Sequence, residues 1–346
     1  MLRRAALLIF FFLAGALFYT AYSILKPYRA YEGEVFVDIP RGAGTLEISA
    51  RLRSAGVLRS EWPFWLIRLS RSRGMLKAGE YRFDRPLSPL QVYRKIASGE
   101  VFYYSLTIPE GYDMFQIAEA VARTGIMNQQ QFLEAARHGE RVAAFAPGAK
   151  TLEGFLFPDT YRLTRQTTAE ELVGQMVRRF RDVFREVQGE HPPQTQQVLE
   201  TVTLASLVEK ETPVAAERPM VASVFRNRLR IGMPLQCDPT VIYALELAGR
   251  YTGEIRKEDL AFPSPYNTYL HPGLPPGPIA SPGRASIEAA VNPAKTDYLY
   301  FVADNKGGHV FSANLQKHSQ AVASYRRANG RRPGPAQSAK KDARRR

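Results

Sequence analysis

The chain of 346 residues contains a single cysteine, Cys237, so it can form no internal disulfide and no zinc site built from several cysteines. None of its five histidines pair at the spacing of zinc ligands, which argues against a zinc hydrolase. A glycine motif that would cradle phosphates is also missing, as are internal repeats. The sequence therefore predicts no metal and no other cofactor.

Negative charge is in short supply, and the formal net charge is +14 at neutral pH. A positive net charge of this size is typical of proteins that bind nucleic acid, but much of the charge is concentrated in one segment. Residues Arg326–Arg346 hold nine lysines or arginines and one aspartate, with almost no large apolar side chain. We predict that residues 326–346 form a disordered basic tail. The whole chain is 45% hydrophobic, which is typical of a folded protein.

A strongly apolar stretch of 21 residues without charge lies at the N-terminus, over Ala5–Leu25. About 20 apolar residues cross a bilayer as a helix, so residues 5–25 are predicted to be a transmembrane segment. Arg3 and Arg4 precede it, and the positive-inside rule places residues 1–4 in the cytoplasm. The alternative is a cleaved signal peptide, because Ala14-Gly15-Ala16 resembles a cleavage site. Either way the rest of the chain lies outside the cytoplasm, which excludes cytosolic nucleic acid as a partner.

Residues 34–100 have the pattern of a small separate domain. Val35–Ile39 and Gly79–Phe83 are predicted to be strands, and two helices are expected between them. A strand–helix–helix–strand unit of this size resembles a LysM-type sugar-binding subdomain. The alternative is a small α+β spacer without a ligand.

A larger α+β domain is predicted for residues 101–325. Thr168 and Glu171 form a capping box before a long amphipathic helix. Gln194–Glu211 is predicted to be a helix, and its last turns are apolar almost all round, which favours burial.

Two further features of this domain concern its surface. Asp238 and Pro239 are typical of a helix start, with the aspartate as N-cap and the proline at the first helical position. Phe262–Gly283 contains seven prolines and cannot be a regular element. A long ordered loop of this kind often forms the wall of a groove.

Two glutamates, Glu209 and Glu211, stand at the end of the predicted buried helix. At about 100° per residue Glu209 continues the apolar stripe of Val198 and Val202, whereas Glu211 lies about 200° away. An apolar setting raises the pKa of a carboxyl group, and a protonated glutamate can serve as a general acid. The alternative is a pair of surface glutamates in salt bridges with the intervening lysine. The spacing alone does not select one of the two.

Most glycosidases need two carboxylates, one as acid and one as base or nucleophile. A lytic transglycosylase can work with one, because the muramyl 6-hydroxyl attacks its own anomeric carbon and no catalytic water is required. Side chains that stack on sugars or bond N-acetyl groups are candidates for lining its cleft: Gln236, Tyr266, Asn267, Tyr269 and Asn292. Glu153 could line the cleft or pair with an arginine, and Asp238 could bind substrate or only cap its helix.

Several stretches of the chain resemble the endolytic murein transglycosylase family, which is also called YceG-like. They are LEGFLFPDTYRL (Leu152–Leu163), ASLVEKET (Ala205–Thr212), Ser223–Leu245, Ser264–Pro293, and YLYFVA with GGHVFS near the C-terminus. The N-terminal membrane helix and the LysM-like subdomain are similar to that family's architecture. Cys237 departs from the family pattern, which has threonine at this place.

The resemblance implies a single-pass protein of the bacterial cell inner membrane with a periplasmic catalytic domain. It implies a lyase that cleaves the MurNAc-GlcNAc bond of nascent peptidoglycan, leaves 1,6-anhydromuramyl ends and terminates glycan elongation. The family's catalytic glutamate lies in the motif carried here as VEKE, which maps it to Glu209. Peptidoglycan synthases, the penicillin-binding proteins, are the implied partners.

Three alternatives belong to other functional classes or mechanisms. A peptidoglycan-binding scaffold would recruit cell-wall synthases without performing chemistry. An envelope-tethering protein would act mainly through its basic tail. A hydrolase would use water and would need a second carboxylate, such as Glu153 or Asp238.

Overall fold

The computed structural model describes residues 2–71, 75–189 and 195–329. The chain divides into two compact units, and both combine helices with short strands. The N-terminal unit comprises Met1–Ser105 and Arg162–Thr167, and the C-terminal unit comprises Leu106–Tyr161 and Thr168–Arg346. The mixed helix and strand content agrees with the predicted α+β class. Residues 330–346 of the predicted basic tail lie outside the described residues.

The N-terminal unit begins with a long apolar helix, followed by strands and helices in the order that the sequence predicts. Its elements are α1 (Leu2–Leu25), β1 (Val35–Ile39), α2 (Thr45–Ser54), α3 (Trp62–Ser70), β2 (Gly79–Phe83) and α4 (Pro89–Ser98). Strands β1 and β2 pair antiparallel, with Val37 opposite Tyr81. The largest fully buried side chains in the core of this unit are Phe64, Tyr81 and Phe83.

The C-terminal unit is mainly helical. Its elements are α5 (Met114–Ala122), α6 (Gln129–Ala136), α7 (Ala169–Gln188), α8 (Thr195–Glu211), α9 (Arg218–Arg230), α10 (Asp238–Leu247), α11 (Arg284–Val291), β5 (Tyr300–Ala303), β6 (His309–Ser312) and α12 (Leu315–Asn329). Strands β5 and β6 form an antiparallel pair. Two further strands, β3 (Tyr104–Thr107) and β4 (Thr160–Leu163), form a two-stranded sheet, and the division between the units falls within both of them.

Helix α8 is the buried centre of the C-terminal unit. Its last turns are inaccessible to solvent at Leu204, Leu207 and Val208, as the apolar pattern predicts. Helix α11 packs against α7, α8 and α9. The predicted capping box starts α7, where Thr168 and Glu171 each accept a hydrogen bond from the other's backbone N–H. A packed helical framework therefore fixes the position of the last turn of α8.

Two boundaries differ from the sequence predictions. Helix α10 begins at Asp238 with Cys237 in the N-cap position, so the prediction of Asp238 as the cap is wrong by one residue. The reason is that the Asp238 carboxylate accepts a hydrogen bond from the Tyr269 hydroxyl instead of capping the helix. Helix α12 continues to Asn329 and includes the first four residues of the predicted tail. Arginines in a last turn, such as Arg326 and Arg327, interact favourably with the helix dipole.

Candidate active site

Three segments of the C-terminal unit meet at the carboxylate of Glu209. Its side chain is only 5% exposed, and Oε1 lies 3.0 Å from Nη2 of Arg218, at the start of α9. Oε2 accepts a hydrogen bond of 2.9 Å from the backbone N–H of Gly283, which directly precedes α11. Each oxygen therefore has one donor, and the plane of the carboxylate is fixed by one group from α9 and one from the residue before α11.

The surroundings of Glu209 differ from the sequence prediction. Helical periodicity correctly predicts that this side chain points inward, but it predicts apolar neighbours. The structure instead places a guanidinium and a backbone amide on the carboxylate. Arg218 is itself almost buried, with 9% of its side chain exposed. Glu209 therefore continues the buried stripe as predicted, but its carboxylate has a charged partner, because an arginine from α9 reaches it.

A second carboxylate, Glu110, shares the same arginine. Its Oε2 lies 3.6 Å from Nη2 of Arg218, and its side chain is 49% exposed. Glu110 also packs on Gly283, where an added Cβ would lie 2.0 Å from the Glu110 carboxyl carbon. Neither Glu110 nor Arg218 is predicted from the sequence as a site residue. Their separation along the chain leaves no periodic signal, and only the fold brings them together.

The two residues that follow Glu209 contact different partners. Lys210 Nζ donates a hydrogen bond of 3.2 Å to the carbonyl of Gly111. Burial raises the pKa of Glu211, and a hydrogen bond with the Cys237 thiol opposes this rise. Glu209 and Glu211 therefore lie in different surroundings, as their angular separation on the helix predicts.

Glu153 lies in the core of the C-terminal unit. It is 2% exposed, and its Oε2 accepts hydrogen bonds from the Met114 backbone N–H and the Tyr243 hydroxyl. Burial raises the pKa of Glu153 to about 8. No salt bridge with an arginine is found for it among the described residues, so neither alternative predicted for Glu153, cleft lining or an arginine pair, describes its position.

Asn267 has a structural position in the proline-rich loop. It is fully buried, and its side-chain amide donates to the carbonyls of Leu260 and Phe262. Its side-chain oxygen accepts from the backbone N–H of Tyr269. These bonds occupy the polar atoms of the amide, so the prediction of a sugar contact for Asn267 is replaced by a role in shaping the loop.

The remaining predicted binding residues are accessible. Gln236 and Asp238 are exposed at the start of α10, and Asp238 accepts a hydrogen bond from the partly buried Tyr269. Gln236 adopts a positive φ of 49°, a strained conformation for a residue other than glycine, and its N–H donates to the Thr268 carbonyl. The structure therefore brings Gln236, Asp238 and Tyr269 together.

Tyr266 and Asn292 occupy separate positions. The Tyr266 ring packs on the ring of Tyr243, with centroids 5.1 Å apart. Asn292 is exposed at the C-terminal end of α11. Within the described ranges no group of three or more histidine, cysteine, aspartate or glutamate side chains is arranged to hold a metal ion.

The proline-rich loop is held against α8 by close contacts. Gly154 has a φ of +82°, and an added Cβ there would lie 2.4 Å from Cβ of Pro278. The backbone N–H of Ile279 donates to the hydroxyl of Ser206, in the C-terminal half of α8. The N–H of Ser281 donates to the carbonyl of Tyr112. These contacts fix the end of the loop, and with it the Gly283 N–H that meets Glu209.

Comparison with known proteins gives consistent matches over most of the chain. A sequence model of the YceG-like family matches residues 37–324. The chain is 34% identical over 328 residues to an endolytic murein transglycosylase of Bacillus subtilis, covering 90% of each protein. It is 33% identical to one of Streptococcus pneumoniae, covering 84% of this chain and 58% of the streptococcal protein. A crystal structure of a YceG-like protein from Listeria monocytogenes has a TM-score of 0.54 and 34% identity, covering 84% of this chain and 99% of the other.

Proposed function

The chain belongs to the YceG-like family, and from this premise we propose that it is an endolytic murein transglycosylase, a lyase acting on peptidoglycan. The observation that carries the proposal is the position of Glu209. It is a nearly buried carboxylate at the end of a buried helix, with both oxygens oriented by donors from other segments. One oriented glutamate is what an intramolecular transglycosylation requires.

In the proposed reaction Glu209 donates a proton to the glycosidic oxygen between the muramyl and glucosaminyl units. The bond from that oxygen to the muramyl anomeric carbon breaks. The muramyl 6-hydroxyl then bonds to the same carbon, and its proton passes to Glu209, which restores the acid. The products are a 1,6-anhydromuramyl end and a free glucosaminyl hydroxyl, with no water consumed. The orientation of the acid increases the rate because the entropy cost of bringing acid and glycosidic oxygen into the reactive geometry is reduced.

Arg218 has to release Glu209 when the acid carries its proton, since a guanidinium is a partner for the carboxylate form. We assign to Glu110 the role of pairing with the Arg218 guanidinium once Glu209 has released it. The Glu110 carboxylate lies 3.6 Å from the same guanidinium nitrogen and is half exposed, so it can follow the arginine. Glu110 is therefore a positioning residue in this proposal and not the second carboxylate of a hydrolase.

The glycan is proposed to bind along the start of α10 and the proline-rich loop. Tyr269 and Tyr266 offer rings that can stack on sugars, and Gln236 and Asn292 offer amides for N-acetyl groups. Asp238 orients the Tyr269 hydroxyl. Glu153 and Asn267 are buried, and their hydrogen bonds stabilise the segments that carry these side chains.

Helix α1 is proposed to anchor the protein in the bacterial inner membrane, with the remainder in the periplasm. In the part of the chain that the structure describes, Ala6–Leu25 is the single helix long and apolar enough to span a bilayer, with a mean hydropathy of 2.0. A cleaved signal sequence has the same properties. The anchored form would hold the site near emerging glycan strands, end their elongation and favour partnership with penicillin-binding proteins.

The N-terminal unit is proposed to be LysM-like. Support comes from the order β1–α2–α3–β2 and from the antiparallel pairing of the two strands.

The reaction is tested by incubating the full-length protein, reconstituted in liposomes, with purified uncrosslinked glycan strands. Mass spectrometry of the products should find 1,6-anhydromuramyl ends. Reducing muramyl ends would identify a hydrolase. Intact glycan in the presence of folded protein would favour the scaffold.

A further inference from the structure

The N-terminal unit has an exposed apolar face on helices α2 and α3. Leu69 is 78% exposed and Leu46 is 66% exposed, while Trp65 and Leu66 are each 39% exposed. They surround a shallow groove whose lining also includes Trp62. Single exposed leucines are common, but a cluster with tryptophans marks a surface that another apolar phase covers.

The membrane-spanning candidate α1 contacts this same face. The rings of Tyr19 and Trp62 stack with their centroids 6.1 Å apart. Tyr19 precedes Leu25, the end of the apolar span, by six residues, which is about 9 Å along a helix axis. A span of 20 residues matches the roughly 30 Å hydrocarbon layer of a bilayer. If α1 spans the membrane, the tryptophan stacked on Tyr19 therefore lies below the membrane surface.

The connection between α1 and the rest of the N-terminal unit is tight. Ile24 packs against the core of the unit. Directly after the helix, the N–H of Tyr28 donates to the carbonyl of Leu87, and the N–H of Ala30 donates to the carbonyl of Gly56. The end of α1 is therefore held to the unit by side-chain packing, and the segment that follows it is held by backbone hydrogen bonds. The depth of α1 sets the depth of the apolar face.

We propose that the face formed by Leu46, Trp62, Trp65, Leu66 and Leu69 is immersed in the outer leaflet of the bilayer that α1 spans. The inference rests on the proposed anchoring and goes beyond it, since it makes the N-terminal unit itself a membrane-binding module. Tryptophan is enriched at the level of the headgroups. Arg68 lines the same groove, and its cation can remain among phosphates while its stem is buried in lipid.

The consequence is a fixed height for the N-terminal unit. A unit held by both a spanning helix and a partly inserted face cannot tumble on a flexible tether. If it binds glycan, as a LysM-like unit would, it meets strands within the first nanometres above the membrane.

The chain provides its own probe, because Trp62 and Trp65 are its two tryptophans. The variant Trp62→Phe leaves Trp65 as the single reporter on the face. The full-length variant is reconstituted in phosphatidylcholine–phosphatidylglycerol liposomes, and flotation first establishes whether α1 inserts. Fluorescence is then quenched either by lipids brominated on the acyl chains or by aqueous iodide.

Immersion predicts that brominated lipids remove the larger part of the Trp65 emission and that iodide removes little. Protein that floats with the liposomes but is quenched only by iodide would overturn the inference and leave the anchor intact. Resistance to both quenchers would also overturn it, because a second protein surface would then cover the face. Failure to float would overturn the anchor and the inference together.

A pair of substitutions provides the matched control. Leu66→Ser with Leu69→Ser should reduce quenching by brominated lipid and increase quenching by iodide. Leu247→Ser with Leu270→Ser removes two leucines of the C-terminal unit that are 44% and 46% exposed, and it should change neither. Equal effects from the two pairs would contradict a specific role of the α3 face.

Discussion

Nη2 of Arg218 lies 3.0 Å from Oε1 of Glu209, and both side chains are almost completely buried. The same nitrogen lies 3.6 Å from the half-exposed carboxylate of Glu110. One cation thus connects an inner carboxylate to an outer one. This arrangement gives Glu209 a defined orientation and gives the arginine a second carboxylate with which it can pair.

Replacing Arg218 should test how far the inner carboxylate depends on it. Arg218→Met keeps a long side chain but leaves Glu209 without its charged partner. Loss of one partner of a buried pair costs about 3–5 kcal/mol. We expect a stability loss of that order in chemical denaturation and a large fall in activity. Arg218→Lys restores the charge and should recover part of the stability. An Arg218→Met protein as stable as the wild type would contradict the buried pair.

Glu110 should affect turnover more than folding. Glu110→Gln removes a half-exposed charge, and exposed ion pairs contribute at most about 1 kcal/mol. We expect nearly unchanged thermal unfolding, unchanged KM and a fall in kcat of about tenfold, which is smaller than the loss of about 10²–10⁴-fold typical of a direct acid or base. The matched control is Glu119→Gln, whose exposed carboxylate pairs with Arg123 on one helix. Equal kcat values for both variants would remove Glu110 from the proposal.

Glu153 should make stability depend on pH. Its pKa is raised from 4.5 to about 8 by burial, so the folded state favours the protonated form. The stability this provides is complete below the unfolded pKa and is lost as pH rises through the folded pKa.

The variant Glu153→Gln keeps one acceptor oxygen, which can accept the bonds from Met114 and Tyr243, and does not titrate. Between about pH 5 and pH 8 wild-type stability should fall relative to the variant, by up to about 1.4 kcal/mol per pH unit. Thermal unfolding of both proteins across this range measures the difference, because other groups titrate equally in each. Parallel curves would show that Glu153 is already ionised in the folded state.

Gly154 should be required for the fit of the proline-rich loop. In Gly154→Ala the new Cβ would lie 2.4 Å from Pro278 and 3.0 Å from Val202, at a φ of +82°. Gly253→Ala is the control, since it has a φ of +97° and nothing within 4 Å. Both carry the backbone cost of about 1–2 kcal/mol. Overpacking should add about 1–3 kcal/mol to Gly154→Ala alone, which denaturant titration measures. Equal losses would contradict a tight loop contact.

The sequence predicts those features that depend on local spacing. Alternation places β1 and β2, the Thr168–Glu171 pair places the start of α7, and apolar periodicity predicts the burial of α8. The inward direction of Glu209 follows from the same periodicity. Each of these signals lies within one helix or strand, where residues a few positions apart are neighbours in space.

The rest of the site depends on contacts that no local pattern contains. Arg218 and Glu110 reach Glu209 from other segments, and this changes its surroundings from apolar to charged. Asn267 is of a residue type that binds sugars, but the polar atoms of its amide are hydrogen-bonded to the backbone of its own loop. Glu153 likewise has a reactive side chain that the fold places in the core. Residue type suggests chemistry, whereas accessibility is decided by tertiary packing.

The most direct test of the account compares Glu209→Gln with Glu211→Gln in the glycan-cleavage assay. Both substitutions remove one carboxylate from the last turn of α8, and near-ultraviolet circular dichroism checks that both proteins are folded. We predict that Glu209→Gln loses about 10²–10⁴-fold in the formation of 1,6-anhydromuramyl ends, while Glu211→Gln retains most of it. A folded Glu209→Gln protein that still produces anhydromuramyl ends at the wild-type rate would contradict the central claim.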